Sequence, residues 1–90
     1  NCFLATKVVF FNELRKTYGS SNFDDLTELI SLDSRIGNSH MMVPGPDGKL
    51  GFGGMCFPKD TNAFAYSSRL SGNPFELLEE VIKINHKLQK

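Results

Sequence analysis

Apolar residues recur at helical spacing over most of this chain, with one long interruption. Over residues 1–18, Phe3, Leu4, Val8, Phe11, Leu14 and Tyr18 fall near a 3.6-residue period, with Lys7, Glu13, Arg15 and Lys16 on the polar side. Val9 and Phe10 widen the apolar stripe, so this first helix is expected to be covered on more than one side. Gly19-Ser20-Ser21 ends it. A shorter helix is predicted over 24–33, with Asn22 as N-cap and Asp24 and Asp25 in the first turn. Its expected buried side is Leu26, Leu29, Ile30 and Leu32.

Residues 35–57 keep no period and hold six of the eight glycines together with Pro44 and Pro46. A loop of this length usually serves a function or is disordered. Its apolar residues, among them Met41, Met42, Val43, Leu50, Phe52 and Phe57, argue for order, with a short extended piece at 41–43. A third helix is predicted over 58–70, with Pro58 at its first position, Ala63, Phe64 and Leu70 covered, and Ser71-Gly72 closing it. A fourth opens at Asn73-Pro74, with Glu76 three residues on in the capping arrangement. It continues through Leu77, Leu78, Val81, Ile84 and Leu88. The fold class expected is all-α, four helices around one long glycine-rich loop.

Ninety residues make a single domain. Ten basic side chains balance ten acidic ones, which gives no general pull on nucleic acid or an anionic membrane. No apolar run approaches the roughly 18 residues of a membrane span. Two cysteines are fewer than a small disulfide-built secreted domain uses, so both are expected to be reduced thiols in a cytoplasmic protein. Asn1-Cys2-Phe3-Leu4 reads as helix interior, and His86-Lys87-Leu88-Gln89-Lys90 carries no stop signal. Both ends are therefore expected to be cuts in a longer protein.

The chemistry concentrates in Gly51-Phe52-Gly53-Gly54-Met55-Cys56-Phe57-Pro58-Lys59-Asp60. A thiol just before a helix faces free N–H groups and the positive end of the helix, which favours the thiolate. Lys59 adds a cation. Gly53 and Gly54 let backbone approach a ligand and offer N–H groups to an oxyanion. Asp60, four positions past Cys56, can hold a water or take its proton. The plain alternative is a buried cysteine in a tight turn, with Lys59 and Asp60 in solvent. His40 is the one histidine in the loop, and the cysteine and histidine spacing does not suit a zinc site, so no metal is expected. Arg35, in Arg35-Ile36-Gly37-Asn38-Ser39-His40, either clamps hydroxyls or an anion or serves as a helix C-cap. Gly45-Pro46-Asp47-Gly48-Lys49 lacks the spacing of a phosphate loop, and no dinucleotide fingerprint is present.

The run from Gly51 to Asp60 resembles the catalytic segment of the UDP-glucose/GDP-mannose dehydrogenase family, in particular its UDP-glucose 6-dehydrogenases. Asn1 to Lys7 is similar to that family's long central helix. Asp33-Ser34-Arg35-Ile36-Gly37 is similar to the start of its substrate loop, and Val43 to Gly48 to a loop of one branch. The resemblance covers nearly the whole chain. It implies the helical central, dimerisation domain of a 6-phosphogluconate-dehydrogenase-like enzyme, lying between an N-terminal Rossmann domain that binds NAD and a C-terminal domain that helps to hold the sugar nucleotide. It implies oxidation of UDP-glucose to UDP-glucuronate, a precursor for polysaccharide biosynthesis, by two NAD and one water through a thiohemiacetal and a thioester on Cys56. Asp60 would work with a water, Asn1 would hydrogen-bond at the reacting centre, and Arg35 would reach the sugar held by the other subunit of a homodimer. Phe52, Gly53 and Gly54 would contact the substrate, with Lys59 in support. The family's catalytic lysine falls four positions before Asn1, and Lys7 is not its equivalent.

On that basis the ninety residues alone are expected to be inactive, to dimerise through the first helix, and to be most mobile over 38–55. GDP-mannose and UDP-N-acetylmannosamine are the competing substrates, and the Pro-Gly-Pro-Asp-Gly loop and the Phe-Pro-Lys-Asp ending favour UDP-glucose. A purely structural helical dimerisation module is the alternative of a different class. A cysteine hydrolase fits poorly, since no histidine is clearly placed beside Cys56.

Overall fold

In the computed structural model, which describes residues 1–90, the chain is all-helical. Its elements are α1 (Cys2–Tyr18), α2 (Phe23–Ser31), α3 (Cys56–Leu70) and α4 (Glu76–Leu88). Helices α1, α3 and α4 pack pairwise against one another. Ala5 and Val9 of α1, Val81 of α4 and Phe52 of the loop meet in one core cluster, flanked by Val8, Phe57 and Ile84. A second cluster joins Phe11 of α1 and Phe23 of α2 to Met41 and Val43 of the loop. The long segment between α2 and α3 is therefore pinned to the helices in three places. Met41 and Val43 are buried and Met42 between them is exposed, the alternation of extended chain, although no strand forms there.

Several helix faces differ from the sequence expectation. α2 starts at Phe23 and buries it, while Leu29 and Leu32 face out. Asn22 does stand at the N-cap, but in the left-handed conformation and with no hydrogen bond from its side chain. α3 buries Thr61, Ala65 and Ser68, whereas Ala63, Phe64 and Leu70 are exposed. The buried positions are one helical stripe of small residues, and small residues let a helix approach its neighbours on two sides. α4 starts at Glu76 rather than at the Asn73-Pro74 pair, and Leu77 is exposed. Ser68 makes the turn before it: its hydroxyl accepts the Phe75 N–H at 3.0 Å, and its carbonyl accepts the Asn73 N–H at 3.2 Å.

The start of α3 matters most for the site. Met55 takes helical angles as the residue before the helix, so Cys56 and Phe57 are helical and Pro58 stands third. The proline is still harmless there, because the first four N–H groups of a helix have no partner within it. Cys56 is thus the first residue of α3 and not a residue ahead of it.

Candidate active site

Asn1 and Asp60 lie 59 positions apart in the sequence and meet when α1 and α3 pack. The Asn1 side-chain amide then donates to the Asp60 carboxylate at 2.7 Å. Lys59 approaches the other carboxylate oxygen at 3.7 Å from an exposed position. The thiol of Cys2 lies 3.8 Å from the Asp60 carbonyl oxygen, so the first turn of α1 is seated on α3 at this point. Asp60 stands one turn after Cys56 on the same side of the helix. Both thiols are free, and Cys56 is exposed.

A groove of about 510 Å³ is lined by residues on both sides of Cys56 in sequence, Gly54 and Phe57, though not by Cys56 itself. Phe52, Gly53, Gly54 and Phe57 form one wall, and His40, Met42 and the turn at Gly45-Pro46-Asp47 face it. His40, at a φ of 61°, stacks on Phe57 with ring centres 5.7 Å apart. The Gly45–Lys49 turn closes on itself through the Gly45 N–H to the Lys49 carbonyl at 2.9 Å and the Lys49 N–H to the Asp47 carboxylate at 3.0 Å. Cys56 lies between them in sequence: groove residues flank it, and Asp60, which holds Asn1, comes one helical turn later.

The backbone leading into Cys56 is held by side chains. Asn12 accepts the Gly51 N–H at 2.9 Å. Asn85 accepts the Phe52 N–H at 2.7 Å and donates to the Phe52 carbonyl at 2.9 Å. Gln89 donates to the Leu50 carbonyl at 3.2 Å. After these contacts, the N–H groups of Gly53, Gly54, Met55, Cys56 and Phe57 find no acceptor within the chain. Five consecutive free donors around a thiol suit an anion or a developing oxyanion better than they suit apolar packing.

Arg35 is not brought to the groove. Its guanidinium makes a two-pronged pair with Asp33, at 3.0 and 2.7 Å, at the end of α2. The hydrogen bonds from the Arg35 side chain, and then from its backbone N–H, hold the Asp33 carboxyl below the ordinary carboxylate range. Lys7 is also engaged elsewhere, donating to the Ile36 carbonyl at 2.8 Å. Asn12, Asn85 and Gln89 are residues that the sequence reasoning misses. Two of them do carry a signal: an asparagine interrupting an apolar helical stripe, beside Phe11 in α1 and beside Ile84 in α4.

The model of the UDP-glucose/GDP-mannose dehydrogenase family, central domain, matches residues 1–87. The chain belongs to this family. It is similar to the UDP-glucose 6-dehydrogenase TuaD of Bacillus subtilis, with 39% identity over 89 residues, which is 97% of this chain and 18% of that protein. It is similar to the UDP-glucose 6-dehydrogenase of Rhizobium meliloti at 38% identity over 87 residues, 94% of this chain and 19% of that protein. A third relative, the UDP-glucose 6-dehydrogenase AglM of the archaeon Haloferax volcanii, is 39% identical over 88 residues, again 94% of this chain and 19% of the other. The chain thus spans about a fifth of the length of the curated relatives it matches. No solved structure matches it. Membership in this family, through its central domain, accounts for the helical fold.

Proposed function

We propose that this chain is the catalytic segment of a UDP-glucose 6-dehydrogenase, with Cys56 as its nucleophile. The observation that carries the reading is the 2.7 Å hydrogen bond from Asn1 to Asp60, one helical turn from an exposed cysteine. Asn1 and Asp60, which the family resemblance puts at the reacting centre with Cys56, meet although 59 positions separate them, and this supports the reading. NAD, the hydride acceptor the family implies, is assigned to residues outside these ninety.

The chain's own part is covalent. The Cys56 sulfur adds to the C6 aldehyde of the sugar, forming a C–S bond and an oxyanion that the free N–H groups ahead of α3 can receive. Protonation gives the thiohemiacetal on Cys56; NAD, bound outside these ninety residues, would supply the hydride acceptor both for the earlier oxidation of the C6 alcohol to the aldehyde and for the conversion of this adduct to a thioester. A water held at Asp60 then attacks the thioester carbon, the C–S bond breaks, and the uronate leaves with the thiol restored. Asn1 takes one carboxylate oxygen of Asp60 and leaves the other, with the Lys59 ammonium 3.7 Å away, to that water. Phe52, Gly53 and Gly54 bound the groove for the sugar nucleotide, with Lys59 lending positive charge beside Asp60. Arg35 is left to the site of a neighbouring subunit, in a homodimer whose contact includes the exposed Phe3 and Phe10 of α1.

The test uses the full-length protein with UDP-glucose and NAD, comparing wild type with Cys56→Ser. The expected result is about two NADH per UDP-glucose in the wild type and loss of uronate formation in the variant, as covalent catalysis through the thiol requires. Turnover by Cys56→Ser at the wild-type rate would overturn the covalent role. Turnover only with a different sugar nucleotide would overturn the substrate.

A further inference from the structure

We infer that Asn12, Asn85 and Gln89 are positioning residues, a three-point clamp that sets the backbone donors and the nucleophile of the site. The inference rests on the functional reading above and deepens it. Four of the five backbone polar groups from the Leu50 carbonyl to the Phe52 carbonyl, all but the Gly51 carbonyl, are taken by side chains and not by a helix or sheet. Those side chains come from different helices, Asn12 from α1 and the other two from around the C-terminus of α4. Asn12 and Asn85 are 4% and 5% exposed. A buried amide in an apolar interface costs free energy unless its hydrogen bonds are made. Asn85 makes both of its bonds to the loop, while Asn12 accepts from the loop and donates to the Val8 carbonyl of its own helix at 2.8 Å. Gly51 is matched to the clamp: with φ at 73°, a Cβ there would collide with the Asn85 carbonyl oxygen.

The position of the clamp, just ahead of the nucleophile, gives it a purpose. Beyond Phe52 come Gly53 and Gly54, which a loop would leave mobile, and then the helix start at Cys56. With the Phe52 ring in the core and its backbone held on both sides, the chain leaves from a fixed point and direction. The free N–H groups of residues 53–57 are therefore set before a ligand arrives. An error of about 1 Å in such a constellation can cost on the order of a hundredfold in rate.

The test separates positioning from packing by the sense of one hydrogen bond. Asn12→Asp keeps an acceptor for the Gly51 N–H. Asn12→Leu keeps the size and improves the apolar packing but removes the acceptor. Packing alone ranks Leu above Asp, because burying a carboxylate is costly. In the full-length protein, the Leu variant is expected to lose about tenfold more kcat than the Asp variant, with similar KM, although the Asp variant melts lower. Activity that follows melting temperature would overturn the clamp. Amide hydrogen exchange at Gly51 and Phe52, the two amides the clamp holds, gives a readout that needs no turnover: faster exchange in Leu than in Asp is expected, and equal exchange would overturn the clamp. A wild type that oxidises no sugar nucleotide would sink the functional reading, and the exchange comparison would still decide the clamp.

Discussion

Two glycines three residues apart carry opposite constraints. Gly51 and Gly54 both have positive φ, 73° and 80°. At Gly54 a Cβ would meet nothing within 4 Å, so alanine there carries only the conformational penalty of about 1 kcal/mol. At Gly51 it would also displace the Asn85 amide and release both Phe52 hydrogen bonds. Gly51→Ala is therefore expected to destabilise by about 3 kcal/mol, well beyond Gly54→Ala, and denaturant unfolding of the two variants measures the difference. Equal losses would mean that the clamp gives way freely. The glycine run itself is legible in the sequence, because special residue types crowd there. The reason each glycine is needed is not, because that reason is an asparagine 34 positions away for Gly51 and open groove for Gly54. The same holds for Asn1 and Asp60, whose meeting only helix packing reveals.

Elements are legible in kind and less so in face. All four helices stand where the apolar period puts them, yet on α3 the period selects Phe64 and Leu70, and the packed side is Thr61, Ala65 and Ser68. Hydrophobicity does not rank small residues highly, while close helix approach requires them. The turn between α3 and α4 is fastened by a pair that reads as ordinary surface charge: Arg69 donates two hydrogen bonds to the Glu79 carboxylate. The hydrogen bond from Arg69 chiefly holds the Glu79 carboxyl below its usual value, with its charge and that of Lys83 adding to it and burial opposing. A carboxyl depressed in the folded state stabilises above its unfolded value and loses that contribution as pH falls through the folded one. Glu79→Gln is therefore expected to melt below wild type near neutral pH, with the gap closing as pH drops from about 4.5 downward. Thermal melts of both proteins across that range check it. Because the pair is exposed, added salt should narrow the gap at neutral pH as well; a gap constant in pH would show that the side chain acts by packing.

At the scale of the molecule, the ninety residues are too open to account for their own apolar surface. Only 14 of 90 residues are buried. The radius of gyration is 13.8 Å, against about 12 Å for a compact domain of this length. Phe3 and Phe10 lie two turns apart on the same side of α1, 78% and 60% exposed, opposite the side that Ala5 and Val9 bury in the core. A soluble monomer rarely leaves an aromatic face of this kind in water. Such a surface also gives Arg35 a purpose, since within one chain its only partner is Asp33. A second copy seated along α1 would cover both phenylalanines and bring another chain's groove within reach of that guanidinium. Phe10→Glu would place a charge at the centre of this contact, where desolvating it costs several kcal/mol. In sedimentation velocity the full-length wild type is expected to run as a dimer or a multiple of one, and Phe10→Glu to shift towards monomer. Turnover should fall with the dimer fraction, because the arginine would then be missing from each site. A wild type that stays monomeric at high concentration would end the dimer reading. A monomeric Phe10→Glu variant with full activity would keep the contact and remove Arg35 from the partner's chemistry.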